Sequence, residues 1–187
     1  DNAGSIFKIN DYGKVIWKKN IYKKIYKKIY KNLNFTIYND NIYIVDNVGF
    51  VYSLSINTGE LIWIKNHGIP IKSDIKVFEG KLYMINQDNR ILCLNAKDGT
   101  KLWDIRSISS FIKSQNFLSL AITKEKNIIF INTSGDIVKA NADTGNVQWT
   151  LNTSDSILSD ATDFFKSSEI VIDSNNIIFS SGASLFS

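Results

Sequence analysis

INTGELIW, residues 56 to 63, closes on a tryptophan four positions after a glycine, and the same pair returns three more times. The other copies are NDYGKVIW at 10 to 17, AKDGTKLW at 96 to 103 and ADTGNVQW at 142 to 149. The pairs Gly13 and Trp17, Gly59 and Trp63, Gly99 and Trp103, Gly145 and Trp149 use every tryptophan of the chain, at spacings of 46, 40 and 46 residues. A fixed glycine-to-tryptophan phase at a period in the forties is the mark of a repeat architecture, and it has to be read before any local motif.

Outward from each tryptophan the register persists. An apolar run lies 21 to 18 residues upstream in each complete unit: IYIV from Ile42, LYMI from Leu82 and IIFI from Ile128. A second run follows, VYSL from Val51, ILCL from Ile91 and IVKA from Ile137. Short β-branched and aromatic runs divided by Asn, Asp and Gly read as strands joined by tight turns. Four strands per unit follow, Phe35 to Tyr38, Ile42 to Val45, Phe50 to Ile56 and Glu60 to Lys65 in the first complete one. The glycine supplies a residue free to take positive φ in the hairpin between the third and fourth strands. Runs without strict alternation imply sheets covered on both faces. Four-stranded sheets of this period, each held between two like sheets, describe an all-β fold of the β-propeller type.

The units resemble the quinoprotein-type (PQQ-like) tryptophan-docking repeat, whose pattern runs Ala, one residue, Asp, two residues, Thr-Gly, three residues, Trp. Gly and Trp match in all four units, whereas Thr matches only at Thr58 and Thr144. The Ala position holds Ser53, Cys93 and Lys139, the Asp position holds Ser55, Asn95 and Asn141, and the first unit is one residue shorter before its turn. The phase divides the chain into the last two strands of a blade (residues 1–17), a basic connector (18–34), complete blades at 35–65, 74–105 and 118–151, and the first strands of a further blade (168–187). That is about half of an eight-bladed ring.

Within this repeat class the chain is most similar to the outer-membrane assembly lipoprotein family. The resemblance implies a non-catalytic, periplasmic, outer-membrane associated scaffold, with no cofactor, whose partner is a protein of the complex that inserts β-barrels. The alternative it implies is a fragment of a PQQ-dependent dehydrogenase, which holds the quinone and a calcium ion on the ring axis, or a ligand-binding propeller. Open blade edges at both ends add self-association as an expectation, because an unpaired edge is a template for pairing.

Composition narrows the classes. The chain has 187 residues, 44% of them hydrophobic, enough for a sizeable core, and no apolar run reaches 18 residues. Ile, Asn and Lys supply 71 residues and Arg only two, Arg90 and Arg106, a bias of base composition that discounts every Lys or Asn cluster. The net charge of +4 comes from one segment, since residues 18 to 31 hold seven lysines and no acid while the rest of the chain carries 15 basic against 18 acidic residues. A nucleic-acid binder spreads Lys and Arg along a face and favours Arg, so nucleic acid is not an expected partner. Cys93 and His67 are the only residues of their kinds, which excludes an internal disulfide and a metal site built from several Cys or His ligands.

Single residues carry little chemistry. Asp155, Asp160 and Asp163 are the best metal candidates by composition, but their spacing is not that of an EF-hand loop, and a solvated connector is the plainer reading. His67, just before Gly68 and Pro70, has no nucleophile or acid fixed to it, and Cys93 sits in an apolar strand as a small hydrophobe. No catalytic, cofactor-binding or metal residue is assigned. The segment IYKKIYKKIY, residues 21 to 30, is a candidate interaction surface through Lys23, Lys24, Lys27 and Lys28. As a short surface helix it would align Ile21, Ile25 and Ile29 on one face; an extended strand with an irregular start is the other reading. A basic amphipathic connector suits anionic headgroups in peripheral membrane contact, or an acidic partner; compositional drift in a tolerant loop is the plain alternative.

Overall fold

The computed structural model describes residues 3–26, 28–106, 113–153, 168–174 and 176–180. Three complete sheets follow one another, each a four-stranded antiparallel meander with strands in chain order. A two-stranded piece precedes them, β1 (Ile6–Ile9) with β2 (Val15–Lys19). The first complete sheet is β3 (Leu33–Tyr38), β4 (Asn41–Asp46), β5 (Phe50–Ser55) and β6 (Leu61–Asn66). The second is β7 (Lys76–Phe78), β8 (Lys81–Ile85), β9 (Arg90–Asn95) and β10 (Lys101–Arg106), and the third β11 (Leu120–Ile122), β12 (Asn127–Ile131), β13 (Asp136–Asn141) and β14 (Val147–Asn152). A second two-stranded piece, β15 (Val171–Asp173) with β16 (Asn176–Ile178), follows. No α-helix occurs among the described residues.

The middle two strands of each sheet are buried along nearly their whole length, and the fourth is mostly exposed. The reason is the pleat. Successive side chains point to opposite faces, and both faces are covered, so a strand divides its residues between two cores. Tyr43 and Val45 of β4 pack with Leu82, Met84, Leu92 and Leu94 of the next sheet. Ile42 and Ile44 of the same strand pack with Ile6 and Trp17 of the preceding piece. The next interface repeats the scheme, with Tyr83, Ile85, Ile91 and Cys93 against Ile128, Phe130, Val138 and Ala140. A sheet of this kind has no core of its own; all of its apolar burial is shared with a neighbour.

One contact recurs at the first three junctions. The indole of Trp17 lies over Gly59, so close that a Cβ there would stand 2.7 Å from the ring, and its Nε1 donates to the Ile56 carbonyl at 3.1 Å. Trp63 covers Gly99 at 2.6 Å and donates to Ala96 at 3.0 Å; Trp103 covers Gly145 at 3.0 Å and donates to the carbonyls of Ala142 and Asp143. The glycines have φ of +69°, +71° and +78°, a region that L side chains enter only with strain. Glycine is therefore required twice at each position, by the backbone and by the ring above it.

The turn that carries each glycine is built locally. The Gly amide donates to the carbonyl four residues earlier, of Ser55, Asn95 or Asn141. The side chains at those same residues accept from turn amides, Ser55 Oγ from Thr58, Asn95 Oδ1 from Lys97, and Asn141 Oδ1 from Asp143 and Thr144. Ser and Asn thus do the turn-forming work of the Asp in the family pattern, as short polar acceptors of this type do. A bulge opens each third-to-fourth hairpin beside the tryptophan, between Lys8 and Ile9, Ser53 and Leu54, Lys101 and Trp103, and Lys139 and Ala140.

Two glycines separate the requirements. Gly68 has φ +70° and open space where a Cβ would stand, whereas Gly99 has φ +71° and the Trp63 ring. Gly68→Ala is expected to cost about 1 kcal/mol from backbone strain alone, and Gly99→Ala about 3 kcal/mol once overpacking is added. Urea midpoints would show the difference, and equal losses would contradict the docking account.

Candidate interaction face

An antiparallel meander puts its turns at two ends. The glycine turns and the first hairpins lie at one end of each sheet, and the turns between second and third strands lie at the other with the connectors from blade to blade. Hydrogen bonds tie these last two together: His67 N to Gly49 O, Ile71 N to Asp46 O, Gln87 N to Pro70 O, Ser114 N to Gln87 O and Thr153 N to Gly135 O. Adjacent turns are also linked, since buried Asn89 accepts through Oδ1 from the amide and hydroxyl of Thr133 in the next sheet. The connector end is a continuous hydrogen-bonded surface.

Each of its turns forms around one short polar side chain at the end of the second strand. Asp46 Oδ1 accepts from the amides of Val48, Gly49 and Phe50 at 2.8 to 2.9 Å. Asn86 Oδ1 accepts from Asp88 and Arg90, and Asn132 Oδ1 from Ser134 and Asp136. The sequence signal is present but was not among the expectations: the residue after the first apolar run of each complete unit is Asp or Asn, in IYIVD, LYMIN and IIFIN.

The basic connector is fastened to the first of these turns. Tyr22, 6% exposed, donates through its hydroxyl to Asp46 Oδ2 at 2.5 Å. Its ring and that of Tyr26 stand edge-on to Phe50, at 6.1 and 5.2 Å between centroids. Lys31 is turned inward at 4% exposure, donating to the Tyr26 and Ile29 carbonyls with its ammonium 4.6 Å from the Tyr22 ring centroid. Burial holds its pKa below the ordinary lysine value and the Asp46 carboxylate opposes that shift. Burial also pushes the Tyr22 hydroxyl well above its usual range, with Tyr52 and Asp46 adding to the effect, so it stays a donor.

Among the described residues of 21 to 30 there is no α-helix, and the helical piece is one 3-10 turn, Lys24–Tyr26. Ile and Tyr are mediocre helix formers, and Tyr22 and Lys31 pull the segment inward at two points instead of along one face. Lys23, Lys24 and Lys28 are exposed, while Lys27 lies outside the described residues. Ile29 and Tyr30 add exposed apolar area beside them. Sequence reasoning singled out four lysines and missed Lys31, which holds the ridge down.

The remaining candidates fall apart as sites. Cys93 is fully buried and its thiol is pushed up to about 12 by burial. His67 is half-buried, with Nε2 enclosed; burial and then the charges of Lys101 and Lys65 hold its imidazole below the usual range. Asp155, Asp160 and Asp163 lie outside the described residues. Among the described residues no three His, Cys, Asp or Glu side chains gather as metal ligands, and no helix is long and apolar enough to cross a membrane. A cleft of about 170 Å³ opens where the innermost strands begin, lined by Asp74, Lys76, Phe117, Ser119 and Glu169 among others.

The sequence model of the family described as outer membrane protein assembly factor BamB matches residues 2–186. The chain belongs to the BamB family. It is 21% identical over 169 residues to the BamB of Moranella endobia (strain PCIT), a match that covers 88% of this chain and 41% of that protein. Among solved structures it is similar to BamB from Moraxella catarrhalis, with a TM-score of 0.77 at 13% identity, covering 96% of this chain and 54% of that one. It is also similar to the quinohemoprotein alcohol dehydrogenase of Comamonas testosteroni, with a TM-score of 0.63 at 16% identity over 81% of this chain and 32% of that one. These two likenesses establish the propeller fold. The chain spans less than half the length of the M. endobia BamB and about half of the M. catarrhalis one.

Two predictions follow from the side chains at this end. Tyr22→Phe leaves Asp46 Oδ2 without its hydroxyl donor inside the protein, and a lost hydrogen bond to a charged group costs about 1.5 to 3 kcal/mol; reduced urea stability together with faster tryptic cleavage after Lys23 and Lys24 is the expected result. For His67, the unfolded chain, titrating near 6.5, binds a proton in a range where the folded chain does not, so stability falls as the pH drops below that value. His67→Asn is expected to flatten the change in melting temperature between pH ~7 and ~5.

Proposed function

We propose that this chain is a non-catalytic periplasmic scaffold, associated with the outer membrane, in the machinery that inserts β-barrel proteins there, and that it works by protein-protein contact through its connector end. The observation that carries this reading is the pinned basic ridge. Tyr22, Asp46 and Lys31 fix the connector in one conformation, and Lys23, Lys24 and Lys28 stand outward beside exposed Ile29 and Tyr30. A rigid, amphipathic, positively charged edge suits an acidic protein surface and gives speed and orientation to the encounter; the same lysines suit peripheral contact with anionic headgroups. Membership of the BamB family supports the assembly role.

The second reading, part of a quinone-dependent dehydrogenase, draws on the likeness to the C. testosteroni enzyme. That likeness, at 16% identity, is one of fold.

The test is affinity capture on the immobilised chain from detergent-solubilised outer membranes. The wild type is expected to retain the barrel-insertion complex, and the variant with Lys23, Lys24, Lys27 and Lys28 changed to Ser about tenfold less of it at low salt. Failure of the wild type to retain that complex, or a raised melting temperature with pyrroloquinoline quinone and calcium, would defeat the proposal.

A further inference from the structure

The fourth strands form the outer wall of the propeller, and one stretch of that wall is both apolar and basic. β6 exposes Leu61, Ile62 and Ile64 around its buried Trp63, and β2 exposes Val15 and Ile16 beside Trp17. The exposure is that of a rim. Ile62 is 47% exposed although its sheet has a neighbour on each side, Leu102 in the equivalent place of the next sheet is 46% exposed, and Ile16 is 52% exposed.

A requirement of the fold returns in every sheet, as Gly and Trp do. These residues do not. Counted from the tryptophans, the place of Ile16 and Ile62 holds Leu102 and then Gln148, and the place of Lys18 and Ile64 holds Asp104 and then Thr150. Docking between sheets is the same whichever of them is present, so packing does not dictate them.

Charge on this stretch has one sign. β2 and β6 carry Lys18, Lys19 and Lys65 and no acid. Asp11 and Glu60 stand outside the strands, in the glycine turns. Among the described residues none of the three lysines forms an ion pair. The next strand along the wall differs, since Asp104 of β10 pairs with Arg90 and Lys101 of its own sheet. The stretch also runs on into the basic ridge: Lys19 ends β2, and the ring of Tyr26 stands against Phe50, which pairs with Asn66 at the end of β6.

We propose that the wall formed by β2 and β6 is a membrane-contact surface, on which Ile16, Ile62 and Ile64 enter the headgroup layer of an anionic bilayer while Lys18, Lys19 and Lys65 meet its phosphates. Two features select a bilayer over a protein. The outside of a propeller is convex, whereas protein interfaces draw their affinity from side chains enclosed in pockets. Single apolar side chains bordered by unpaired lysines also supply the two contributions to interfacial binding, buried apolar area and attraction to anionic lipid. The contact goes beyond the scaffold role and does not rest on it; only the choice of bilayer rests on the placement proposed above.

The test is sedimentation of the 187-residue chain with phosphatidylcholine vesicles, with and without phosphatidylglycerol. The wild type is expected to bind the anionic vesicles and to bind the neutral ones at least about tenfold more weakly. Ile62→Ser with Ile64→Ser is expected to lower binding to the anionic vesicles about tenfold, and Lys65→Ser about fivefold. All three side chains are exposed, so an unchanged melting temperature confirms that the variants fold. Absence of binding to anionic vesicles, equal binding to both kinds, or binding unmoved by the isoleucine pair would each overturn the proposal. Loss of the barrel-insertion complex from the isoleucine variant with vesicle binding kept would assign the wall to a protein and overturn it as well. Vesicle binding by a wild type that fails to retain that complex would support the membrane contact and defeat the scaffold reading.

Discussion

An indole pressed onto a bare backbone is the constraint from which this structure follows. Each docking ring belongs to one sheet and its glycine to the next, and the ring nitrogen donates into that same next turn. The bond and the van der Waals contact fix both the distance and the rotation between adjacent sheets. Apolar residues then fill the angle so defined, dividing their alternate side chains between two neighbours. Stability in such an array is a sum over nearest-neighbour interfaces and not the property of one central core.

The parts legible in the sequence are those that this constraint repeats. Gly and Trp recur because both the positive φ and the ring overhead are needed in each sheet, and the apolar runs are continuous because both faces of each middle strand are covered. The Asp position of the family pattern drifts to Ser or Asn because any short side-chain acceptor closes that turn. What was not legible lies at the connector end. Seven lysines in fourteen residues look alike in the sequence; that Lys31 points inward while Lys23, Lys24 and Lys28 point outward depends on Asp46, which is brought beside it by the strand pairing of β3 with β4. The helical periodicity of the connector was a reading that tertiary contact from Tyr22 overrode.

The two ends of the sheets therefore differ in kind. At the glycine end, local turns and the tryptophan above them set the geometry between blades. At the connector end, polar side chains that begin a turn, Asp46, Asn86 and Asn132, hold a surface whose content varies from blade to blade. The end proposed for partner contact is the variable one.

Separating the two ends also makes room for change. The segments that join the sheets differ in length, from Asn66 to Lys76 in one case and from Arg106 to Leu120 in another, and the docking geometry at the far side is the same for long and short alike. A blade is in this sense an interchangeable part with a standard coupling, and foreign sequence spliced into a joining segment would leave the alignment of its neighbours undisturbed.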